Sequence, residues 1–99
     1  MGKYNKYMVE CLLAPFSLEM QEQIPRQRMI VDKLFNQGVL ITYTLAADRS
    51  KLWIVLQAES ESELLQYIES LPMTKYCDYN YSEIMFHDSS MFIPSISLN

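Results

Sequence analysis

The chain alternates between two patterns of apolar residues. In the first pattern apolar residues form short runs or recur at every second position, which is typical of strands. Four segments have it: residues 7–13, 39–47, 52–57 and 76–86. In the second pattern they recur every third or fourth position, which is typical of helices. Two segments have it: residues 17–37 and 60–71. The predicted order is strand, helix, strand, strand, helix, strand.

Residues at the ends of the predicted helices support these boundaries. Gly38 follows the first helix at the position where a helix commonly ends on glycine. Ser60 with Glu63 three residues later forms a capping box that predicts the start of the second helix, and Pro72 stops it. Pro25 lies inside the first helical pattern. It either kinks a long helix or is the first residue of a shorter one.

This order is the split-βαβ plan of ferredoxin-like α+β domains, an antiparallel sheet with both helices on one face. The opposite face should carry polar residues if it were exposed to water, yet three of the strands have apolar residues on both faces. The two faces of the first strand carry Tyr7, Val9, Cys11 and Leu13 on one side and Met8 and Leu12 on the other. In the second strand they carry Ile41, Tyr43 and Leu45 against Leu40, and in the third Trp53 and Val55 against Leu52, Ile54 and Leu56. We therefore predict that a second copy covers this face, giving a dimeric α/β barrel.

Composition and charge exclude several function classes. Eight scattered basic residues against twelve acidic ones give a net charge of −4, which disfavours nucleic-acid binding. Two glycines cannot form a glycine-rich phosphate loop. One histidine and two distant cysteines do not form a zinc site, and no metal site is predicted. Cys11 and Cys77 are expected to be packing thiols rather than a disulfide.

The length of 99 residues predicts one domain, residues 1–99, with a core at about 7–87. The tail, residues 88–99, is expected to pack on a partner subunit. No apolar run has the length of a membrane span, and the polar start does not read as a signal peptide. We predict a cytoplasmic protein that does not act at a membrane.

Two segments carry a resemblance to a known family. The first runs from Ser70 through Leu71-Pro72 to Tyr76-Cys77-Asp78, and the second is Met85-Phe86-His87-Asp88-Ser89-Ser90. In order and spacing they resemble the C-terminal half of the muconolactone Δ-isomerase family, in which a helix ending in Leu-Pro precedes a final strand that closes on His-x-Ser-Ser. The similarity covers about residues 7–91. Pro25 and the polar positions of the first helix depart from the family pattern.

The resemblance implies a ferredoxin-like subunit that dimerises into an α/β barrel, often within a larger ring. It also implies a cofactor-independent isomerase that shifts a double bond and a proton within a small unsaturated lactone carboxylate, in aromatic catabolism. His87 matches the family's histidine, so the resemblance makes it the candidate base. Its neutral-range pKa suits proton transfer; alternatively it bonds its own loop and Ser89.

Other residues are candidates on physical grounds. Arg28 falls on the apolar stripe of the first helix, where it either pairs with Glu10 or lies at the surface, or binds a substrate carboxylate. Glu10 is either a structural carboxylate or a second catalytic base whose pKa burial would raise. Tyr43, Trp53, Tyr79 and Tyr81 either line a substrate pocket or pack in the core and dimer interface.

Three functions follow from this pattern. The first is the isomerase, or a related lyase, in which His87 and Arg28 converge on one pocket. The second is a non-catalytic dimeric barrel that binds a small molecule or serves in assembly. The third is a cofactor-less monooxygenase of the same fold. None requires a cofactor, and each predicts a homodimer or higher homo-oligomer.

Overall fold

The computed structural model describes residues 4–85 and 87 and has the predicted order of elements. The strands and helices are β1 (Asn5–Leu13), α1 (Leu18–Asn36), β2 (Leu40–Leu45), β3 (Lys51–Ala58), α2 (Glu61–Ser70) and β4 (Cys77–Ile84). A short 3-10 helix, Pro72–Tyr76, connects α2 to β4. The predicted roles of Phe86 and of the tail, residues 88–99, lie outside the described residues.

The four strands form one antiparallel sheet in the order β2-β3-β1-β4. Both helices pack on the same face, so the α+β class is confirmed and the arrangement is compatible with a ferredoxin-like fold. The core lies between this face and the helices, and its buried side chains from strands and helices include Tyr7, Val9, Cys11, Val31, Leu34, Leu52, Ile54, Leu56, Leu64 and Ile68.

Helix α1 is a single helix that continues through Pro25. The Ser17 hydroxyl caps it by accepting a hydrogen bond from the Met20 N–H at 3.2 Å. Pro25 is therefore neither the first residue of a shorter helix nor a break. The helix ends at Asn36, and Gly38 follows it as predicted, with a φ of 74° that is a left-handed conformation glycine adopts without strain.

The Ser60 half of the capping box predicted for α2 is present. Ser60 is the N-cap, and its hydroxyl accepts a hydrogen bond from the Glu63 N–H at 3.1 Å. The Glu63 carboxylate in turn accepts from the N–H of Glu59, one residue before the cap, at 2.7 Å. Two N–H groups at the start of the helix thus have side-chain partners, which explains why α2 begins there.

Strand β2 contains a β-bulge that its alternating pattern did not reveal. Leu40 pairs with Leu56, but the next pair along the strand is Thr42 with Val55, so Ile41 is an extra residue. Leu40 and Tyr43 consequently lie on the same face of the sheet, towards the helices. The prediction that Leu40 faces away from Tyr43 is wrong, because one inserted residue reverses the alternation.

The start of β4 also differs from its prediction. Pro72 begins the 3-10 helix, and Tyr76 belongs to it rather than to the strand. The backbone carbonyl of Tyr76 still accepts a hydrogen bond from Ala14 N–H at 2.9 Å, which ties the connection to the end of β1.

The sheet face turned away from the helices is mixed rather than uniformly apolar. Its apolar residues are Met8, Leu12, Trp53, Val55 and Ile84. Its polar residues include Lys6, Glu10, Thr42, Thr44, Lys51, Asp78, Asn80 and Ser82. Strand β4 supplies three of these polar residues, whereas the prediction of an apolar face rested on the first three strands. Met8 and Leu12 keep 42% and 48% of their surface exposed. We call this surface the open face.

No helix in residues 4–85 is long and apolar enough to cross a membrane.

Candidate binding cavity

A cavity of about 380 Å³ lies between α1 and the end of the sheet formed by β2, β3 and the last residue of β1. Its walls are mostly apolar: Leu13, Phe16, Met20, Ile24, Val31, Phe35, Leu45, Leu52 and Met73. Its polar lining consists of Gln27, Arg28, Asp32, Tyr43 and Arg49. An apolar cavity with a few convergent polar groups is the usual form of a small-molecule site.

Gln27 holds one wall of the cavity in place. Its side chain is only 5% exposed, whereas the other polar residues of α1 are exposed or half-buried. The amide nitrogen donates a hydrogen bond to the Tyr43 hydroxyl at 2.9 Å, and the amide oxygen accepts from the Met73 N–H at 3.0 Å. One side chain therefore connects α1 to β2 and to the 3-10 helix.

Tyr43 and Arg28 are two predicted binding residues that the fold brings to this one cavity. Burial raises the pKa of the Tyr43 hydroxyl above its usual value of 10.0, while the hydrogen bond from Gln27 and the positive charge of Arg28 act in the opposite direction. Tyr43 is therefore a neutral phenol at physiological pH.

A second cation reaches the cavity from the turn between β2 and β3. The Arg49 guanidinium carbon lies 4.7 Å from the centre of the Phe16 ring, a cation–π contact. The turn is held by the Asp48 carboxylate, which accepts hydrogen bonds from the N–H and hydroxyl of Ser50 at 3.0 and 2.7 Å. The hydroxyl bond is the main reason why the pKa of Asp48 lies below its usual value.

Glu10 and Trp53 are on the other side of the sheet, on the open face. The Trp53 indole N–H donates to the Glu10 carboxylate at 3.3 Å, and the Lys51 ammonium lies 3.7 Å from the same oxygen. The Arg28–Glu10 ion pair that sequence analysis left open does not form, because the sheet separates the two residues. Neither Glu10 nor Trp53 lines the cavity.

Tyr79 faces the helices but lies away from the cavity, near α2. Its hydroxyl donates to the Glu69 carboxylate at 3.0 Å. The interaction of Tyr81 is also structural, since its ring packs edge-on against Tyr7 with centroids 6.2 Å apart. These two tyrosines take the packing role that sequence analysis gave as the alternative.

Cys11 and Cys77 are free thiols on adjacent strands. Interaction between the two sulfurs raises the pKa of the Cys11 thiol and lowers that of Cys77. The Cys77 sulfur also lies 3.3 Å from the Thr74 carbonyl, to which it donates. Neither thiol lines the cavity.

His87 lies far from the cavity within one chain. It belongs to a polar depression with Tyr4, Lys6 and Glu83, and its Nε2 atom is buried without a hydrogen bond to any described residue. Lys6 is near the start of β1, whereas the cavity touches Leu13 at its end. At about 3.3 Å per residue the two ends are about 23 Å apart. His87 and Arg28 thus do not converge inside one subunit.

Sequence analysis missed Gln27, the most buried polar residue of the cavity. A signal for it exists in α1: positions 20, 24, 27, 31 and 34 alternate spacings of four and three residues, which marks one helix face. Gln27 lies on that face and Arg28 lies beside it.

Comparison of the chain with models of protein families and with curated proteins finds no match. The resemblance to the muconolactone Δ-isomerase family therefore stays a hypothesis that depends on the residues quoted above.

Proposed function

We propose that this protein binds a small amphipathic carboxylate in the cavity between α1 and the sheet. The observation that carries the proposal is that Arg28 and Tyr43 line the same mostly apolar cavity. Arg28 offers charged donors in a planar fork that matches a carboxylate, and Tyr43 offers a neutral donor beside it. The apolar walls would bury the rest of the ligand.

The size of the cavity restricts the ligand. Binding cavities for organic molecules span about 300–1,000 Å³, and this one, at about 380 Å³, is near the lower limit. A molecule with one ring or a short chain attached to its carboxylate fits this volume. Such a ligand gains affinity from burial of its apolar part, at about 25 cal/mol per Å², and its orientation from Arg28 and Tyr43.

Removal of the Arg28 charge is expected to weaken carboxylate binding. We expect Arg28→Met to raise the Kd for 4-phenylbutyrate at least about 10-fold, because a hydrogen bond to a charged group contributes about 1.5–3 kcal/mol. The Kd for the neutral isostere 4-phenylbutyramide should change much less. Titration followed by NMR chemical shifts measures both constants and locates the ligand.

Arg26→Met is the matched control. Arg26 is an exposed arginine of the same helix that does not line the cavity, so its loss changes the net charge equally without touching the ligand. Equal weakening by both variants would mean that only net charge matters. Absence of shifts at cavity residues in the unsubstituted protein would refute the proposal.

The protein acts as a homodimer in which two open faces stack to form an α/β barrel. Support comes from exposed Met8 and Leu12 at the centre of the open face, together with Trp53 on the neighbouring strand β3. The face is about 19 Å wide at a strand spacing of about 4.8 Å. Burying it on two copies approaches the area of about 1,000 Å² that a specific interface needs.

The isomerase implied by the resemblance is a second candidate function. It is favoured by the position of a carboxylate, Asp32, which lies one helical turn beyond Arg28 and lines the same cavity, since proton transfer needs a base near the bound substrate. His87 and Glu10 remain the bases that the sequence proposes, and in this chain both lie outside the cavity.

Turnover of muconolactone tests this candidate. We expect Arg28→Lys to slow an isomerase, because an ammonium does not reproduce the guanidinium fork. Asp32→Asn and His87→Ala compare the base in the cavity with the one that the resemblance implies, and oxygen uptake in the same assay would indicate the monooxygenase instead. If the unsubstituted protein neither turns over muconolactone nor consumes oxygen, the binding function alone stands.

We place the protein in the cytoplasm. Support comes from two adjacent cysteines, Cys11 and Cys77, that are both free thiols, since oxidising compartments favour disulfides.

A further inference from the structure

The orientation of the Gln27 amide is fixed by its partners. A backbone N–H can only donate, so the group facing Met73 N–H must be the amide oxygen. The amide nitrogen therefore faces Tyr43, and an amide nitrogen can only donate. In the bond of 2.9 Å between them the Tyr43 oxygen is the acceptor.

This orientation determines where the hydrogen of the Tyr43 hydroxyl can point. A phenol oxygen that accepts a bond on one side carries its hydrogen on the other side, near the plane of the ring. Within residues 4–85 and 87 this hydroxyl donates to no protein acceptor. Because Tyr43 lines the cavity, its hydrogen is available to a molecule bound there.

We infer that Gln27 is a positioning residue that turns the Tyr43 hydroxyl into a fixed donor, so that the cavity selects ligands presenting an acceptor to Tyr43 and Arg28 together. This inference rests on the proposed function and deepens it. Both groups then donate, and neither accepts. A carboxylate satisfies both, an amide carbonyl satisfies them less strongly, and an alkylammonium of the same length satisfies neither.

Ligand selectivity gives the first test. We expect the unsubstituted protein to bind 4-phenylbutyrate more tightly than 4-phenylbutyramide, and 4-phenylbutyramide more tightly than 4-phenylbutylamine. Tyr43→Phe should raise the Kd for 4-phenylbutyrate about 10-fold or more, the effect of losing one hydrogen bond to a charged group. An unchanged Kd would overturn the inference, because the hydroxyl would then contribute nothing to binding.

A double-mutant cycle isolates the role of Gln27. In Gln27→Glu the new carboxylate accepts from both Met73 N–H and the Tyr43 hydroxyl, which draws the hydroxyl hydrogen away from the cavity. In the otherwise unsubstituted protein, we expect Gln27→Glu to raise the Kd for 4-phenylbutyrate by a factor about 10- to 100-fold larger than it does in the Tyr43→Phe variant. In that variant only charge repulsion acts. Equal losses in the two backgrounds would show that charge alone is responsible and would overturn the inference.

The ligand-free protein gives a test that does not depend on the proposed function. A donor to the Tyr43 oxygen stabilises the phenolate and so lowers the pKa of Tyr43. Gln27→Met removes this donor without adding charge, so the pKa of Tyr43 should rise. It is measured by NMR titration of ¹³Cζ-labelled tyrosine, with Tyr43→Phe assigning the signal.

The sign of this change separates the possible outcomes. A fall in the Tyr43 pKa on Gln27→Met would mean that Gln27 accepts from the hydroxyl, and the inference would be wrong. A rise in the Tyr43 pKa together with no binding of 4-phenylbutyrate would support the positioning of the Tyr43 hydroxyl by Gln27 but would refute the proposed ligand class.

Discussion

Replacement of Leu56 by alanine is expected to lower the free energy of unfolding by about 3–5 kcal/mol. Leu56 is fully buried in β3, a central strand, and pairs with Tyr7 on one side and Leu40 on the other. The surrounding side chains belong to three strands and two helices, so they can close the resulting cavity only partly. Urea denaturation followed by circular dichroism at fixed protein concentration measures the change.

Leu18→Ala is the control for this substitution. Leu18 is the first residue of α1 and keeps 74% of its surface exposed. Its truncation removes the same atoms from a side chain that is mostly hydrated, and alanine is a good helix residue, so we expect a change within about 0.5 kcal/mol. A cost at Leu56 no larger than at Leu18 would contradict the position of the core.

Substitution of Met8 by aspartate is expected to convert the proposed dimer into a monomer. Met8 lies on the open face between Val55 and Ser82 of the neighbouring strands. In a two-fold interface each substitution occurs twice, so two carboxylates would be buried opposite an apolar surface. Unpaired buried charges cost several kcal/mol, which corresponds to an increase in dimer Kd of at least about 100-fold.

Light scattering at micromolar concentration measures this effect. The unsubstituted chain should give twice its mass of 11.6 kDa, and Met8→Asp should give one such mass with an unchanged circular dichroism spectrum. Met29→Asp introduces the same charge at an exposed methionine of α1 and should remain dimeric. A monomeric unsubstituted chain would contradict the dimer directly.

Local signals predicted most of the fold because they depend on neighbouring residues only. The alternation in β1 correctly separates Val9 from Met8, since the side-chain period of a strand is two. Ser60 and Glu63 locate the start of α2 because a cap acts over three residues. Gly38 locates the end of α1 in the same way.

Features that depend on distant residues could not be predicted in this way. The absence of an Arg28–Glu10 ion pair was predictable, because the alternation that faces Val9 and Cys11 towards the helices turns Glu10 to the other side; the burial of Gln27 was not. A glutamine such as Gln27 is expected to be exposed to solvent, and its burial depends on hydrogen bonds with Tyr43 and Met73, which are 16 and 46 positions away in the sequence. Burial of a polar side chain depends on such partners rather than on its own segment.

The bulge at Ile41 also bears on how related chains can differ in length. Loss of Ile41 would restore a regular ladder while leaving Leu40 opposite Leu56 and Thr42 opposite Val55. A deletion in β1 or β3 would instead reverse every side chain beyond it. Strand β2 can therefore lose one residue and still present Tyr43 to the cavity, so relatives of this protein are expected to vary in length here while keeping the tyrosine.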